Sequence, residues 1–221
     1  GNTISSNGFV ISQGANIHKL DPLGNVLWNK NIGSGQGIGY SMLNINFFQN
    51  QLYITGTFHE NLSFENNINF NFPYTDYPRA FIAKYDSNGI FINATSHGNG
   101  NDIFKESEFD NNGNIYLTRY HYNHLNSKLD KFNNSLQLIW SNVLSNSSNS
   151  NTHSVYRPNG IRFNNENNKL YLWGTIGLTT DIMGNSFFVS TNNSIFQSVL
   201  TEFDANSGNL ENIKRFDNNS S

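Results

Sequence analysis

The sequence contains no cysteine and only four prolines among its 221 residues. Without cysteine the chain cannot form disulfides, bind metals through thiolates or use a thiol nucleophile. Charged residues make up only 13% of the chain, and the net charge of -3 does not suit a nucleic-acid groove. No apolar run approaches the ~20 residues of a membrane-spanning helix. We therefore expect no nucleic-acid partner and no transmembrane segment.

Aromatic residues and asparagine take the place of the missing residue types. Aromatics make up 14% of the chain, with 18 Phe and 10 Tyr, and about a fifth of the residues are Asn. A disordered chain is poor in aromatics, so this composition indicates a folded protein. Asparagine is unfavourable inside helices but favourable in turns, where its side chain bonds to nearby backbone. The composition predicts many short strands joined by tight turns and almost no α-helix.

One short pattern occurs four times along the chain. It begins with a polar turn residue and continues with alternating strand residues, as in NQLYITGT (50–57) and NKLYLWGT (168–175). The period of two predicts a half-buried strand. We expect the tyrosines at the fourth position, Tyr53, Tyr116 and Tyr171, to be equivalent. The other two copies are NGFVISQG (7–14) and GNIYLTRY (113–120).

A second pattern alternates with the first and predicts a β-hairpin. Each copy has a short strand, usually an Asp, a turn and then a second strand, as in AKYDSNGIFIN (83–93). An aspartate accepts bonds from the backbone that follows it, and glycine takes the positive φ of the turn. We expect Asp21, Asp86 and Asp130 to be turn residues. The other copies lie at 18–28, 127–140 and 201–213.

Together with a third strand, these patterns predict a repeated unit of four antiparallel strands. Such a unit is typical of a β-propeller blade, because one small sheet cannot bury both faces alone. The chain at 1–221 would be a single propeller of four blades or a portion of a larger ring, and a β-sandwich is the alternative. The predicted units are 17–57, 81–120 and 126–175, with residues 1–16 and 199–221 forming a shared or partial blade. The termini resemble the middle of a sequence, which indicates processing or a longer parent chain.

Two of the predicted units carry an extra segment. Gly56 precedes Asp86 by 30 residues (86 − 56), and Gly174 precedes Asp204 by the same 30 residues (204 − 174). Equal spacing is expected of repeats that contain equivalent insertions. The inserts span 57–79 and 175–197, and each is long enough for a hairpin of its own.

Residues 81–120 resemble the SBBP-type β-propeller repeats of bacteria. The resemblance is carried by a run of positions in the two patterns and departs at Arg119, where such repeats usually have Gly. It implies the propeller fold and a secreted or surface-displayed scaffold of the kind found in large proteins of Bacteroidota. The matching residues are Lys84, Tyr85, Asp86, Gly89, Asp110, Gly113, Asn114 and Tyr116.

The candidate metal sites are weak. His121 and His124 follow a strand, and no carboxylate nearby completes a ligand set. DNNGN (110–114) supplies oxygens at alternate positions but lacks the closing bidentate Glu of an EF-hand loop. We expect a hairpin turn there and no metal site.

No pattern indicates catalysis or a cofactor. GSGQGIG (33–39) is glycine-rich, but a strand-like segment follows it, so no helix N-terminus would bind a phosphate. Glu106 and Glu108 share a strand face without the partners that glycosidase chemistry requires. We expect no enzyme activity, no catalytic residue and no cofactor.

The first insert contains the candidate binding residues. FNFPYTDYP (70–78) places Phe70, Phe72, Tyr74 and Tyr77 in a loop. These rings could stack on sugars or enter a pocket of a partner protein. The alternative is that they cover the edge of the ring or pack on the neighbouring blade.

Two classes of function remain. The first is a non-enzymatic secreted or cell-surface module that binds protein or glycan, as in adhesion. The second is a structural subunit or cargo docked on an outer-membrane or secretion assembly. An exposed aromatic cleft would favour the first class, and a large apolar patch on an outer face would favour the second.

Overall fold

Every regular element of the protein is a β-strand in the part of the chain that the structure describes. The structure is a computed structural model. The expected all-β class is confirmed, and none of the described ranges contains a helix that could cross a membrane. The structure describes residues 3–4, 8–12, 16–32, 39–59, 61–72, 78–98, 102–121, 126–146, 156–177, 179–188 and 196–216.

The chain divides into two compact units, Gly1–Phe104 and Lys105–Ser221. In the first unit, β1-β2-β3-β4 form sheet 1, and β5-β6-β9-β10 form sheet 2. The hairpin β7-β8 is inserted between the second and third strands of sheet 2. The strands are β1 (Thr3–Ile4), β2 (Phe9–Ser12), β3 (Asn16–Leu20), β4 (Val26–Asn31), β5 (Gly39–Phe48), β6 (Gln51–Phe58), β7 (Asn61–Ser63), β8 (Asn69–Asn71), β9 (Arg79–Asp86) and β10 (Phe91–His97).

The second unit has the same plan, and its boundary with the first falls inside β11. Here β11-β12-β13-β14 form sheet 3, and β15-β16-β19-β20 form sheet 4, again with a hairpin, β17-β18, inserted after the second strand. The strands are β11 (Asp102–Phe109), β12 (Ile115–His121), β13 (Asn126–Phe132), β14 (Leu138–Asn146), β15 (Arg157–Asn164), β16 (Lys169–Ile176), β17 (Thr179–Ile182), β18 (Asn185–Phe188), β19 (Gln197–Asp204) and β20 (Leu210–Phe216).

The hydrogen-bonded sheets are offset by two strands from the predicted repeat units. The unit predicted at 17–57 would join β3 and β4 to β5 and β6, but these pairs lie in different sheets. The units predicted at 81–120 and 126–175 likewise straddle two sheets each. The reason is that β6 pairs with β9 over eight consecutive residues, although the first insert lies between them in the sequence. The two strands of the hairpin pattern are therefore the last two strands of a sheet and not its first two.

Within the described ranges, residues 1–16 and 199–221 contribute strands to different sheets, sheet 1 and sheet 4, so no shared blade is formed there, and the partial blade stays the other expectation for them. Strand β2 lies between β1 and β3, and β19 lies between β16 and β20. Each terminal segment has all of its strand neighbours within its own unit. β1 and β20 are the outer strands of their sheets, so each pairs along one edge only in the described residues.

In the first unit, sheet 1 holds the last turn of sheet 2. The Asp86 carboxylate accepts bonds from the backbone of Asn88 and Ile90, each at 2.8 Å, and Gly89 takes a φ of 78°. Lys19 of sheet 1 donates to the carbonyl of Ser87 in this turn at 3.2 Å. Trp28 packs on the same turn, since a methyl group added at Gly89 would lie 2.9 Å from its ring. We call this arrangement the grip: a lysine of one sheet donates a hydrogen bond to the turn of the next sheet, and a tryptophan of the same sheet packs on that turn.

The same grip recurs in the second unit. Lys131 donates to the carbonyl of Ala205 at 3.0 Å, and the indole of Trp140 donates to the carbonyl of Asn206 at 2.7 Å. A methyl group added at Gly208 would lie 2.8 Å from the Trp140 ring. The spacing from Trp28 to Trp140 is 112 residues (140 − 28), so the pairing of a lysine with a tryptophan recurs after two sheets.

The expected role of Asp130 is wrong, whereas Asp21 and Asp86 are turn residues as predicted. Asn133 takes the turn position in sheet 3, where its side-chain oxygen accepts from the backbone of Ser135 at 3.0 Å. Asp130 is instead fully buried within β13 and forms an ion pair with Arg119, which is 3% exposed. Lys131, and not Lys128, is therefore the structural equivalent of Lys19. Aligning Lys-Leu-Asp at 128–130 with the same residues at 19–21 is wrong by three residues.

Strand alternation agrees with the sequence pattern. Leu52, Ile115 and Leu170 are all fully buried, as their place opposite the tyrosines predicts. Tyr53, Tyr116 and Tyr171 occupy equivalent register positions, opposite Lys84, Lys131 and Glu202 respectively. Each unit encloses one apolar cluster between its two sheets.

Two turn glycines with the same backbone geometry provide a test of the grip. Gly24 has a φ of 86° and nothing within 4 Å of an added methyl group, whereas Gly89 has the Trp28 ring there. Gly24→Ala should cost about 1–2 kcal/mol of unfolding free energy from the left-handed backbone alone. Gly89→Ala should cost about 1–3 kcal/mol more, because the methyl group overpacks against the indole. Urea unfolding measures both, and equal costs would contradict the proposed packing.

The Asp130 ion pair provides a second test. Asp130→Ala leaves the Arg119 guanidinium buried without its carboxylate and should cost about 3–5 kcal/mol. Asp86→Ala, the control, removes only turn hydrogen bonds and should cost about 1 kcal/mol. Replacing both partners, as in Arg119→Leu with Asp130→Leu, should recover most of the loss. Thermal and urea unfolding measure these differences; a double variant no better than Asp130→Ala would argue against the pairing.

Candidate functional site

The four sheets place an aromatic residue at one equivalent position, and its surroundings differ in sheet 4. Phe9 and Tyr116 are buried, and the ammonium groups of Lys19 and Lys131 lie 5.1 and 5.0 Å from their ring centres. Sheet 2 repeats this contact with Tyr53 and Lys84 at 5.2 Å. Burial raises the pKa of the Tyr53 hydroxyl to about 12 and lowers the pKa of the Lys84 ammonium.

In sheet 4 the lysine and the tryptophan of the grip are both replaced. Glu202 stands at the lysine position and Asn212 at the tryptophan position, as their pairing in the register shows. Tyr171 is only half-buried, and its hydroxyl donates to the Glu202 carboxylate at 3.4 Å. A carboxylate cannot donate to the carbonyls of a neighbouring turn. This face is therefore not built to grip another turn of the same kind.

The middle strand of sheet 4 buries one face and exposes the other. Leu170, Leu172 and Ile176 are fully buried in the cluster of the second unit. Tyr171 and Trp173 alternate with them and point away from that cluster. Trp173 is 43% exposed. Its counterparts Thr55 and Thr118 in sheets 2 and 3, which follow the equivalent tyrosine by two residues, are 2% and 0% exposed.

Trp173 lies flat on the neighbouring strand. Gly160 is its register partner on β15, and a methyl group added there would lie 1.8 Å from Cζ2 of the indole. Only glycine allows the ring this close to the backbone. The guanidinium of Arg162 lies 5.9 Å from the Trp173 ring centre and is held by the Glu108 carboxylate at 3.0 Å. One face of the indole is supported by backbone while the side chain remains largely open to solvent.

An open cleft of about 680 Å³ lies beside this tryptophan. Asn167 donates to the Tyr171 hydroxyl at 3.0 Å, and the Asn164 side chain accepts from the backbone of Glu166 at 2.9 Å, so the turn that borders the cleft is ordered by its own contacts. The cleft combines an aromatic surface with planar polar groups, a lining suited to sugar rings and their hydroxyls. Its lining residues are Arg162, Phe163, Asn164, Asn165, Glu166, Tyr171 and Trp173.

Comparison with known proteins finds no family model that matches the chain and no match among curated proteins. The resemblance to SBBP-type repeats therefore stays a prediction. Among solved structures, an acylaminoacyl peptidase in complex with a chloromethyl ketone has 11% identity and a TM-score of 0.46, over 81% of this chain and 26% of its own.

Two Bacteroides structures are similar to a comparable degree. A DUF4221 family member from Bacteroides vulgatus has 9% identity and a TM-score of 0.43, over 95% of this chain and 64% of its own. A protein of unknown function from Bacteroides caccae has 9% identity and a TM-score of 0.42, over 99% and 72%. The chain thus spans less than two thirds of the first two of these three structures. No function follows from likenesses this distant.

The binding residues predicted from the sequence lie elsewhere. The Phe70 ring packs 5.8 Å from Phe64 and 5.9 Å from Phe58, and Phe72 lies 5.9 Å from Phe58 beneath the Arg79 guanidinium. Both rings therefore pack against the apolar cluster of the first unit, and their role in binding stays a prediction. The other two predicted residues, Tyr74 and Tyr77, lie outside the described residues.

The weak candidates for metal and acid chemistry do not come together. Asp110 accepts backbone bonds from Asn112 and Asn114, each at 2.9 Å, which makes 110–114 a hairpin turn as predicted. His124 lies outside the described residues, and within the described ranges no three metal-ligating side chains form a group. Glu108 is occupied by the ion pair with Arg162 at 3.0 Å.

Sequence reasoning missed Trp173 although a signal was present. In the repeated strand pattern, NKLYLWGT has Trp where NQLYITGT has Thr. Alternation from the buried Leu172 puts this tryptophan on the opposite face. A large aromatic replacing a small residue on that face could have singled it out. The lack of a covering neighbour could not be read from the pattern.

The contact with Gly160 predicts how Trp173 is held. Gly160→Ala should displace the indole, because no side chain fits beneath it. We expect a change in the fluorescence of Trp173 with little loss of stability, since the ring is already partly in solvent. Trp28→Phe with Trp140→Phe isolates this signal from the other two tryptophans. Asn159→Ala, at the next and exposed position, serves as the control. An unchanged spectrum in Gly160→Ala would show that the ring does not rest there.

Proposed function

We propose that this chain is a non-enzymatic binding module whose fourth sheet holds a glycan against Trp173. The supporting observation is the exposed indole on Gly160, at a position where the equivalent residues of sheets 2 and 3 are buried. An exposed tryptophan lacks the hydrophobic stabilisation that its burial would provide, whereas sheets 2 and 3 bury the equivalent residue. The polar groups of Arg162 and Glu166 flank it, as orientation of a sugar requires.

The scaffold belongs to the same proposal. We infer that the four meander sheets are blades of a β-propeller, either a ring of four or part of a larger one. Support comes from burial: along β6 and β12 neighbouring residues on both faces are buried, as in blades stacked on two sides. A secreted or cell-surface location, as predicted from the sequence, would bring the module to its glycan.

A second candidate is a structural subunit that docks on an outer-membrane or secretion assembly. The outermost strands carry exposed apolar residues, among them Leu27 at 59%, Ile92 at 41% and Ile139 at 50%. Exposed apolar residues on strand edges can mark contact with a partner protein. These residues are separate from the cleft, so the two candidates can be tested independently.

The glycan proposal is tested by binding to an array of neutral and acidic oligosaccharides, followed by calorimetry on the best ligand. Trp173→Ala should weaken binding about 30-fold, as loss of an aromatic anchor worth about 2 kcal/mol implies. Leu27→Ala, which removes an exposed apolar side chain of the first unit, should bind as the unaltered protein does. A Leu27→Ala variant that loses a protein partner while Trp173→Ala retains it would favour the structural role.

Two outcomes would contradict the glycan proposal. One is an array without any binding above that of heat-denatured protein. The other is a bound glycan whose affinity is the same for Trp173→Ala as for the unaltered protein.

A further inference from the structure

The last turn of each sheet contains one residue with a positive φ, and this residue is exposed in sheet 1 alone. All four turns lie within the described ranges. The residue is buried in the other three turns, as Gly89 in sheet 2, Leu136 in sheet 3 and Gly208 in sheet 4. Gly24 of sheet 1 is exposed, and nothing lies within 4 Å of a methyl group added to it. The turn of sheet 1 therefore lacks a cover that the other three turns have.

The turn of sheet 1 is nevertheless built like the two turns that are gripped. The Asp21 carboxylate accepts backbone bonds from Leu23 and Asn25, each at 2.8 Å, and Gly24 takes a φ of 86°. The gripped turns of sheets 2 and 4 also have a glycine with a positive φ, and a tryptophan ring fills the space that its missing side chain leaves. The turn of sheet 1 thus has the geometry of a gripped turn.

The carbonyl groups that a grip would use are on an open surface in this turn. In both grips the lysine donates to the carbonyl directly after the first turn residue, and Trp140 donates to the carbonyl that follows. The equivalent carbonyls of sheet 1 belong to Pro22 and Leu23, which are both exposed. Leu23 is 87% exposed, and contact with a partner would bury its apolar side chain favourably. The residues equivalent to Leu23 in the other turns are polar: Asn88, Ser135 and Asn206.

None of the described sheets of this chain has a grip available for this turn. A lysine paired with a tryptophan occurs in sheets 1 and 3 only, and both of these pairs already hold a turn. The sequence contains three tryptophans, and the third, Trp173, rests on Gly160 in a sheet that has Glu202 at the lysine position. A second copy of this chain would therefore bring no further pair of lysine and tryptophan.

We propose that the turn of sheet 1 is the docking site of a further sheet of the gripping kind. In both observed grips the gripping sheet directly precedes the gripped sheet in the sequence. The occupant is accordingly a blade that precedes sheet 1 in the polypeptide. It places a lysine on the Pro22 carbonyl and an indole on Gly24, and it buries Leu23. The inference rests on the two observed grips and is independent of the glycan function; within the proposed propeller it selects the ring larger than four.

The test lengthens the whole chain at its N-terminus by a copy of residues 102–156. This copy contains sheet 3, with its lysine and tryptophan, and the segment that joins sheet 3 to the sheet whose turn it grips. We expect the copy to fold and to grip the turn of sheet 1. In hydrogen exchange followed by NMR, the Gly24 amide should then exchange about tenfold more slowly than in the unextended chain.

A double-variant cycle identifies the contact. In the extended chain, Gly24→Ala should cost more unfolding free energy than in the unextended chain, because the methyl group would meet the added indole. Trp140→Ala within the copy should remove this difference. A copy that stays unfolded by circular dichroism would overturn the proposal. A folded copy that leaves Gly24 exchange and the cost of Gly24→Ala unchanged would overturn it as well.

The matched control joins the same copy after Ser221. There it follows sheet 4, and the exchange of the Gly24 amide should stay as in the unextended chain. If the copy slowed Gly24 exchange equally from both ends, the effect would not be the grip, and the proposal would fail. Glycan binding should be the same in all of these chains, since Trp173 is not part of the turn, so the two proposals fail independently.

Two further measurements on the unextended chain test the other occupants. Sedimentation should show no self-association that Leu23→Asp abolishes; such an association would make a second copy the occupant. Glu202→Lys with Asn212→Trp gives sheet 4 the residues of a gripping sheet, and it should leave Gly24 exchange unchanged. Slower exchange in this double variant would make sheet 4 the neighbour of the turn. Either of these results would overturn the proposal of a further blade.

Discussion

The grip of one sheet on the last turn of the next is the interaction on which each unit depends. A tight turn leaves carbonyl groups that no strand neighbour can satisfy, and burying them without a donor costs about 1–3 kcal/mol each. In the second unit the carbonyl of Ala205 accepts from both Lys131 and the hydroxyl of Tyr116, and that of Asn206 accepts from Trp140. The flat indole covers Gly208. Turn geometry, glycine position and strand register are therefore coupled across two sheets.

The replacement of the lysine and the tryptophan in sheet 4 explains where a ligand surface can arise. Sheets 1 and 3 carry a lysine paired with a tryptophan, whereas sheet 4 carries Glu202 and Asn212 at those positions. A face that no longer holds a turn is free to acquire other side chains. Trp173 on Gly160, with Arg162 beside it, is such a replacement, and it requires a glycine on the adjacent strand. The strand position that is buried in sheets 2 and 3 is thus exposed in sheet 4.

Local patterns predicted the strands well and their grouping poorly. The buried Leu52 and Leu170 and the turns at Asp21 and Asp86 follow from period-two alternation and from bonds within a few residues. The sequence pattern predicts a turn at Asp130 because Lys-Leu-Asp at 128–130 is identical to the sequence at 19–21. A buried carboxylate paired with Arg119 carries no local signature, since its partner lies eleven residues away across a strand pair. The unusual arginine in the repeat was the only available indication.

The sequence by itself determined the all-β class, the tyrosine register and the turn chemistry, because these depend on side-chain alternation and on backbone bonds between near neighbours. Tertiary structure alone decided which strands share a sheet, since β6 and β9 pair although the twenty residues 59–78 lie between them. It also decided that Phe70 packs inward while Trp173 stays exposed. Both are aromatic residues of β-strands, and only the presence or absence of a covering surface distinguishes their roles.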